Sequence, residues 1–127
     1  MTLADTDVLI DFLAGREPAA ERVTRELESA NLWTTVITRF ELLSGARGAR
    51  EVRIVSELLD SIQIVPLDVS AADRAADVRR ALERKGIGIG MADSLIAGIA
   101  LHVGGTLLTR NRRHFERVEG LDLARFE

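Results

Sequence analysis

The sequence predicts an α/β fold in which a central parallel sheet of about four to five strands is covered by helices on both faces. Short apolar segments rich in β-branched residues alternate along the chain with longer segments whose apolar residues recur at helical spacing. The chain has 127 residues, the size of one compact domain, and it contains no linker and no internal repeat. Residues 1–127 are therefore expected to form a single domain.

The first half of the chain carries signals for three helices in turn. Asp7 is a suitable N-cap for the first helix and Gly15 a suitable stop. Pro18 opens the second helix at a favoured early position, and Ser44-Gly45 ends the third. A β-branched and aromatic segment before the third helix predicts a strand. These predicted elements are a strand within 3–10, helices at 8–14 and 18–30, a strand at 32–36 and a helix at 38–43.

The second half repeats the alternation of helices and strands. Pro66 ends a predicted strand, and Ser70 to Asp73 resembles a capping box that opens a long helix. Gly86, Gly88 and Gly90 mark a mobile loop before an apolar helix. The predicted elements here are helices at 52–62, 70–85 and 91–103, and strands at 62–67, 106–109 and 118–123.

Composition excludes several classes of protein. Hydrophobic residues make up 46% of the chain, which is enough for a core and argues against disorder. The chain has no cysteine, so it has no disulfide framework and no thiolate metal site. Apolar segments are too short to cross a bilayer and no signal-peptide pattern is present. We therefore expect a soluble cytoplasmic protein, and a net charge of −3 argues against non-specific nucleic-acid binding.

Four polar residues are expected to meet at one edge of the sheet. Asp5 ends the first strand, Glu41 and Asp93 lie in the first turns of two helices, and Asn111 follows the strand at 106–109. In open α/β sheets, ligands bind beyond the carboxyl ends of the strands. Crowded carboxylates repel one another and need a cation, and a set of oxygen ligands without cysteine favours Mg²⁺ or Mn²⁺. Such a site commonly activates water for an in-line displacement at phosphorus.

Taken singly, most of these residues also have an ordinary structural interpretation. Glu41 fits a capping box that begins at Thr38, Asp93 can be a first-turn acid, and Asn111 can be a turn residue. Asp5 is harder to explain, because an acid within an apolar strand is expected to have no capping role. The combination of all four at one edge favours a functional site.

Basic residues lie next to Asn111. Arg110, Arg112 and Arg113 are expected to border the acidic site, where they would contact phosphate, although such a run is often only a solvated face. His102 and His114 show no ligand spacing and are expected to be surface or packing residues.

Four segments, taken together and in order, resemble the motifs of PIN-domain nucleases, and most closely those of VapC-type toxins. The segments are Asp5-Thr6-Asp7-Val8-Leu9, Thr38-x-x-Glu41-Leu42-x-x-Gly45, Asp93-Ser94-Leu95-Ile96-Ala97 and Leu108-Thr109-Arg110-Asn111-x-x-His114-Phe115. The resemblance implies a PIN domain with Mg²⁺- or Mn²⁺-dependent endoribonuclease activity on RNA. It also implies a homodimer held inactive by a cognate VapB-like antitoxin.

The resemblance also assigns roles to residues. Asp5, Glu41 and Asp93 match the acids of the metal site, with Asp5 and Asp93 as the metal ligands. Asn111 stands at the fourth acidic position of the wider family and offers a carbonyl oxygen without a charge. The matching positions with supporting roles are Thr6, Asp7 and Thr109.

Two other functions are compatible with parts of the sequence. One is a phosphatase of the haloacid-dehalogenase type, with Asp5 as nucleophile, Asp7 as acid/base and Thr109 in the second motif. That mechanism needs a lysine after the threonine strand, whereas the only lysine, Lys85, precedes it. The other is a non-catalytic PIN-like module that binds RNA, against which the three acids argue.

Overall fold

Five parallel strands form one sheet in the order β3-β2-β1-β4-β5. The computed structural model describes all of residues 1–127. Successive residues of the central strands face opposite sides, so that Leu3 and Leu107 point to one layer of the core and Ala4 and Leu108 to the other. The strands are β1 (Thr2–Ala4), β2 (Leu32–Thr35), β3 (Gln63–Val65), β4 (Thr106–Leu108) and β5 (Asp122–Leu123).

Helices cover both faces of the sheet, which confirms the predicted fold class. The helices are α1 (Thr6–Leu13), α2 (Ala19–Glu28), α3 (Val36–Gly45), α4 (Gly48–Asp60), α5 (Val69–Arg84), α6 (Met91–Val103) and α7 (Arg112–Phe115). Apolar residues of α1, α2 and α4 pack into the core on one face, and those of α5 and α6 pack on the other. No helix combines the length and the apolar character that crossing a bilayer requires.

Helix starts are where the sequence predictions fail most often. In three helices the cap lies earlier in the chain than expected, because the residue that accepts from a first-turn N–H and has extended backbone precedes the predicted one. A one-turn helix, α7, occupies part of the predicted arginine-rich loop, and the last strand is shorter than predicted. The observed caps are Asp5, Thr35 and Asp68, in place of Asp7, Thr38 and Ser70.

Close packing of α6 against α5 fixes the helix that carries Asp93. A Cβ added to Gly98 would lie 2.5 Å from the backbone nitrogen of Ala75, so only glycine allows the two helices to approach this closely. A tight turn at Gly104 links α6 directly to β4, and Gly104 has a φ of 68°. The first turn of α6 therefore lies at the carboxyl edge of the sheet.

Candidate active site

Asp5 lies at the junction of β1 and α1, and its side chain is buried. Asp5 is 6% exposed. Its Oδ1 accepts a hydrogen bond from the Thr6 backbone amide over 2.8 Å, and its Oδ2 accepts one from the Thr109 hydroxyl over 2.7 Å. The pKa of Asp5 is raised from 3.8 to about 7: burial is the largest cause, the charges of Asp7 and Asp93 add to the rise, and the two hydrogen bonds oppose it. Asp5 caps α1, so the expectation that it had no capping role is wrong.

Glu41 lies in the second turn of α3, not in the first as expected. Its Oε1 accepts a hydrogen bond from the Thr6 hydroxyl over 2.7 Å, and Thr6 Oγ1 is also 3.0 Å from Thr38 Oγ1. The capping-box interpretation of Glu41 is wrong, because α3 is capped by Thr35, whose hydroxyl accepts from the Thr38 amide. Glu41 is thus connected to Asp5 through Thr6, which directly follows Asp5 and binds both carboxylates.

Asp93, in the first turn of α6, faces two side chains from α7 and its cap. Its Oδ2 lies 3.0 Å from His114 Nδ1 and 3.4 Å from Asn111 Nδ2. The Asn111 and His114 nitrogens are in turn 2.9 Å apart. Asn111 makes no side-chain capping bond to α7, so its Oδ1 is not used as a helix cap.

His114 is the site residue that the sequence interpretation missed. It was expected to be a surface or packing residue, but it contacts Asp93. The available signal was the Asn111-x-x-His114 spacing, because side chains three apart on a helix lie on the same face. That signal was hidden, since residues 110–114 were predicted to form a loop and not a helix.

Asp7 lies beside the cluster and holds the backbone that follows β4. Its Oδ2 accepts a hydrogen bond from the Arg110 amide over 3.1 Å, while its Oδ1 is buried without any hydrogen-bond partner. Burial raises the pKa of Asp7, and the nearby charge of Arg110 opposes that rise. The cluster therefore contains an unsatisfied buried oxygen in addition to the crowded carboxylate of Asp5.

The three arginines beside Asn111 differ in what they contact. Arg110 Nε lies 2.7 Å from Asp11 Oδ2. Arg112 donates from Nη1 to the Ala124 carbonyl over 2.8 Å and pairs with Glu116 at 3.5 Å. Arg113 is exposed and makes neither an ion pair nor a side-chain hydrogen bond. Of the three, only Arg113 is wholly free to meet a phosphate.

The donor set fits a hard divalent cation in its chemistry. Every ligand available at this edge, apart from His114, presents oxygen. The pKa of Asp5 is raised first by burial and then by the charges of Asp7 and Asp93, and a cation would offset both effects. No three histidine, aspartate or glutamate side chains converge on a common point in the arrangement described here. The charges of Asp5 and Asp93 act on each other, and Asp93 Oδ1 makes no hydrogen bond, so these two carboxylates could together hold an ion.

An apolar groove of about 410 Å³ begins at Glu41 and runs between α1, α3 and α4. Ile10 and Leu13 of α1 line one side, and Ile54 and Val55 of α4 line the other. Ile10 and Ile54 are 47% and 41% exposed, which is high for isoleucine on a monomer surface. The groove and the acidic cluster share Glu41 and form one continuous surface.

The parallel sheet and the acidic cluster at its carboxyl edge are those of a nuclease-like α/β domain. A family model described as "PIN domain" matches residues 2–121. The chain therefore belongs to the PIN domain family, and the curated relatives that it matches include VapC proteins, as expected from its motifs. This assignment leaves the haloacid-dehalogenase alternative without support.

Curated relatives match almost the whole chain. A "tRNA(fMet)-specific endonuclease VapC" from Shigella flexneri is 31% identical over 123 residues, covering 94% of this chain and 92% of the relative. "Ribonuclease VapC10" from Mycobacterium tuberculosis is 36% identical over 121 residues, covering 95% of this chain and 90% of the relative. Among solved structures, a DNA-bound VapBC from Salmonella typhimurium is 27% identical with a TM-score of 0.87, covering 99% and 98% of the two chains.

Proposed function

We propose that this protein is a metal-dependent endoribonuclease, the toxin of a type II toxin–antitoxin pair. The observation that carries the proposal is the buried carboxylate of Asp5, whose pKa is raised to about 7 by burial and by the charges of Asp7 and Asp93. A site that concentrates negative charge in this way is suited to a divalent cation and a phosphodiester. Relatives named as ribonucleases, matched over nearly their whole length, support the same activity.

We assign Asp5 and Asp93 as ligands of Mg²⁺ or Mn²⁺. Such an ion, when bound, lowers the pKa of coordinated water and neutralises charge on the phosphate being cleaved. Glu41 is held at Oε1 by Thr6, which leaves Oε2 to orient a water molecule or the ion. Asn111 and His114 hold Asp93 by Oδ2 and leave Oδ1 open. Thr109 fixes Asp5 by Oδ2.

RNA is the proposed substrate, and Arg113 is the basic side chain at the edge of the site best placed to contact its phosphates. The partner is an antitoxin, as in the solved VapBC complex that this chain resembles. We place an apolar segment of the antitoxin in the groove between α1 and α4, because this groove ends at Glu41. A basic antitoxin side chain would then reach the acidic cluster.

Three further expectations stay predictions. They are that residues 1–127 form one PIN domain, that two copies of the chain associate, and that the protein works in the cytoplasm. Sedimentation velocity measures the second of these directly.

Cleavage of a labelled RNA by the purified protein tests the activity. Wild-type protein is expected to cut within the chain in Mg²⁺ or Mn²⁺, and to stop when EDTA is added. Asp5→Asn keeps one acceptor oxygen, which can still cap α1 through the Thr6 amide, but it removes the charge and places an NH2 group opposite the Thr109 hydroxyl, so it is expected to be inactive. Full cleavage in EDTA, or by Asp5→Asn, would overturn the proposal. RNA binding without cleavage would favour the non-catalytic module.

A further inference from the structure

We propose that Asp11 is a positioning residue for cleavage, acting through Arg110 on the loop after β4. This inference rests on the proposed function. Asp11 belongs to none of the motifs that suggested the site, and it does not touch Glu41, Asp93 or Asn111 by any hydrogen bond or ion pair. Its importance is visible only in the folded chain, where it joins α1 to Arg110.

Asp11 is a buried carboxylate with a specific partner. It is 4% exposed, and its Oδ2 lies 2.7 Å from Arg110 Nε. A second arginine, Arg16, approaches Oδ1 only to 3.5 Å from a largely exposed position. Burying a carboxylate is costly unless it is paired and hydrogen-bonded. The close contact with Arg110 is therefore the interaction that makes an acid tolerable at this place in α1.

Two acids of α1 hold Arg110 at two separate points. Asp7 and Asp11 are four residues apart, so their side chains lie on the same face of the helix. Asp7 accepts from the backbone amide of Arg110 over 3.1 Å, and Asp11 binds its guanidinium. The main chain and the side chain of Arg110 are thus both bound to α1.

Arg110 lies between the two loop residues that reach the acidic cluster. Thr109 donates to Asp5 Oδ2 over 2.7 Å, and its Oγ1 accepts from the Asn111 amide over 2.9 Å. Asn111 then reaches Asp93. Holding Arg110 therefore sets where the side chains of Thr109 and Asn111 lie relative to Asp5 and Asp93. A misplacement of about 1 Å in such groups can lower a rate by roughly a hundredfold.

The test compares four proteins with a matched control. Asp11→Ala, Asp11→Asn, Arg110→Ala and the Asp11→Ala/Arg110→Ala double variant are prepared alongside Arg16→Ala, which removes the other arginine near Asp11. Folding is expected to survive in Asp11→Ala, since Arg110 is half-exposed and becomes hydrated. Arg110→Ala leaves a buried charge unpaired, and the double variant removes that charge. Asp11→Asn retains an acceptor for Arg110, so it can be measured in place of Asp11→Ala if that variant unfolds. Amide hydrogen exchange is measured by NMR on metal-free protein, and kcat and KM are measured with RNA in Mn²⁺.

Exchange at the Arg110 and Asn111 amides is expected to accelerate about tenfold or more in Asp11→Ala, Arg110→Ala and the double variant, with buried amides of β1 unchanged. The kcat is expected to fall about tenfold or more in the same three proteins, with KM within about threefold of wild type. Because Asp11 acts through Arg110, the double variant should lose no more than either single variant. Asp11→Asn should fall between Asp11→Ala and wild type, and Arg16→Ala should match wild type.

Several results would overturn the inference. These are unchanged loop exchange in Asp11→Ala, unchanged kcat despite faster exchange, or additive losses in the double variant. A rise in KM alone would show that Arg110 binds RNA directly and that Asp11 does not position the loop for cleavage. If wild-type protein itself cleaves no RNA, the proposed function fails, and the exchange data separately decide whether Asp11 orders the loop.

Discussion

The hydroxyl of Thr6 donates a hydrogen bond to Glu41 Oε1 over 2.7 Å and so joins the first turn of α1 to the second turn of α3. Thr6 directly follows Asp5, and its amide also donates to the Asp5 carboxylate. One threonine therefore holds the acid that caps α1 and an acid of α3. Glu41 is fixed by this contact and not by capping its own helix.

Glu41→Gln is expected to lower RNA cleavage by about a hundredfold or more while leaving the melting temperature nearly unchanged. Glutamine keeps an acceptor for Thr6, so the fold is preserved, but the charge that orients water or metal is lost. Glu57→Gln, on an exposed position of α4, is the matched control and should behave as wild type. Wild-type cleavage by Glu41→Gln would remove this residue from the site.

The raised pKa of Asp5 predicts how the stability of the metal-free protein depends on pH. Its pKa is 3.8 ordinarily and about 7 in the folded protein, so the folded state binds more protons than the unfolded state between these values. The free energy of unfolding should therefore fall as pH rises from about 4 to 7, by an amount of roughly 4 kcal/mol from this group. Asp5→Asn should lack this fall, which makes it more stable than wild type at about pH 8.

Denaturant unfolding in EDTA across this pH range measures the effect of Asp5. Asp60→Asn, on the exposed end of α4, is the control and should keep the wild-type slope. Excess Mg²⁺ should remove the difference in the free energy of unfolding between wild type and Asp5→Asn at about pH 8, because the ion binds only the folded wild-type site. Parallel pH profiles for wild type and Asp5→Asn would contradict the raised pKa.

The architecture was predictable because it depends on patterns that are local in the sequence. The apolar helix at 91–103 was predicted with its observed bounds, since Gly90 and Gly104 punctuate it on both sides. Strands and helices alternate, and connections between them are short, so a parallel sheet with Asp5 at its carboxyl edge follows. The residues Glu41, Asp93 and Asn111 were placed at that edge by the same reasoning.

The individual contacts were not predictable, because they join residues distant in sequence. Nothing near Asp11 indicates that it pairs with Arg110, about a hundred positions away. The caps were misassigned where two suitable residues stand close together, as Asp5 and Asp7 do. His114 was missed because a helix of one turn carries too little periodicity to be detected.

Arg113 and Arg112 provide a matched pair for RNA binding. Arg113→Ala is expected to weaken binding and to reduce the slope of log K against log salt concentration by about 0.7, the value for one phosphate contact on a single strand. Arg112→Ala should leave that slope unchanged, because Arg112 is occupied by Ala124 and Glu116. Fluorescence anisotropy with a labelled RNA and Asp5→Asn protein measures binding without cleavage. Equal slopes for wild type and Arg113→Ala would show that Arg113 is a solvated side chain that contacts no phosphate.

We expect the apolar groove between α1 and α4 to bind the antitoxin but not RNA. Ile54 and Val52 are both 41% exposed on α4, but only Ile54 lines the groove. Ile54→Asp is expected to weaken binding of the cognate antitoxin by about a hundredfold, the scale of an interface hot spot. Val52→Asp should bind normally, and both variants should still cleave RNA. Undiminished antitoxin binding by Ile54→Asp, measured by calorimetry, would place the partner elsewhere.

We expect Asp5 and Asp93 to hold the ion with which this protein cleaves RNA. The most direct test of this metal site is the single-turnover cleavage rate as a function of Mn²⁺ concentration for wild type and Asp93→Asn, with the exposed Asp122→Asn as control. Wild type and the control should saturate at the same Mn²⁺ concentration, while Asp93→Asn should require about tenfold more or fail to saturate. Cleavage that is independent of Mn²⁺, or identical Mn²⁺ dependence in Asp93→Asn and wild type, would contradict the claim.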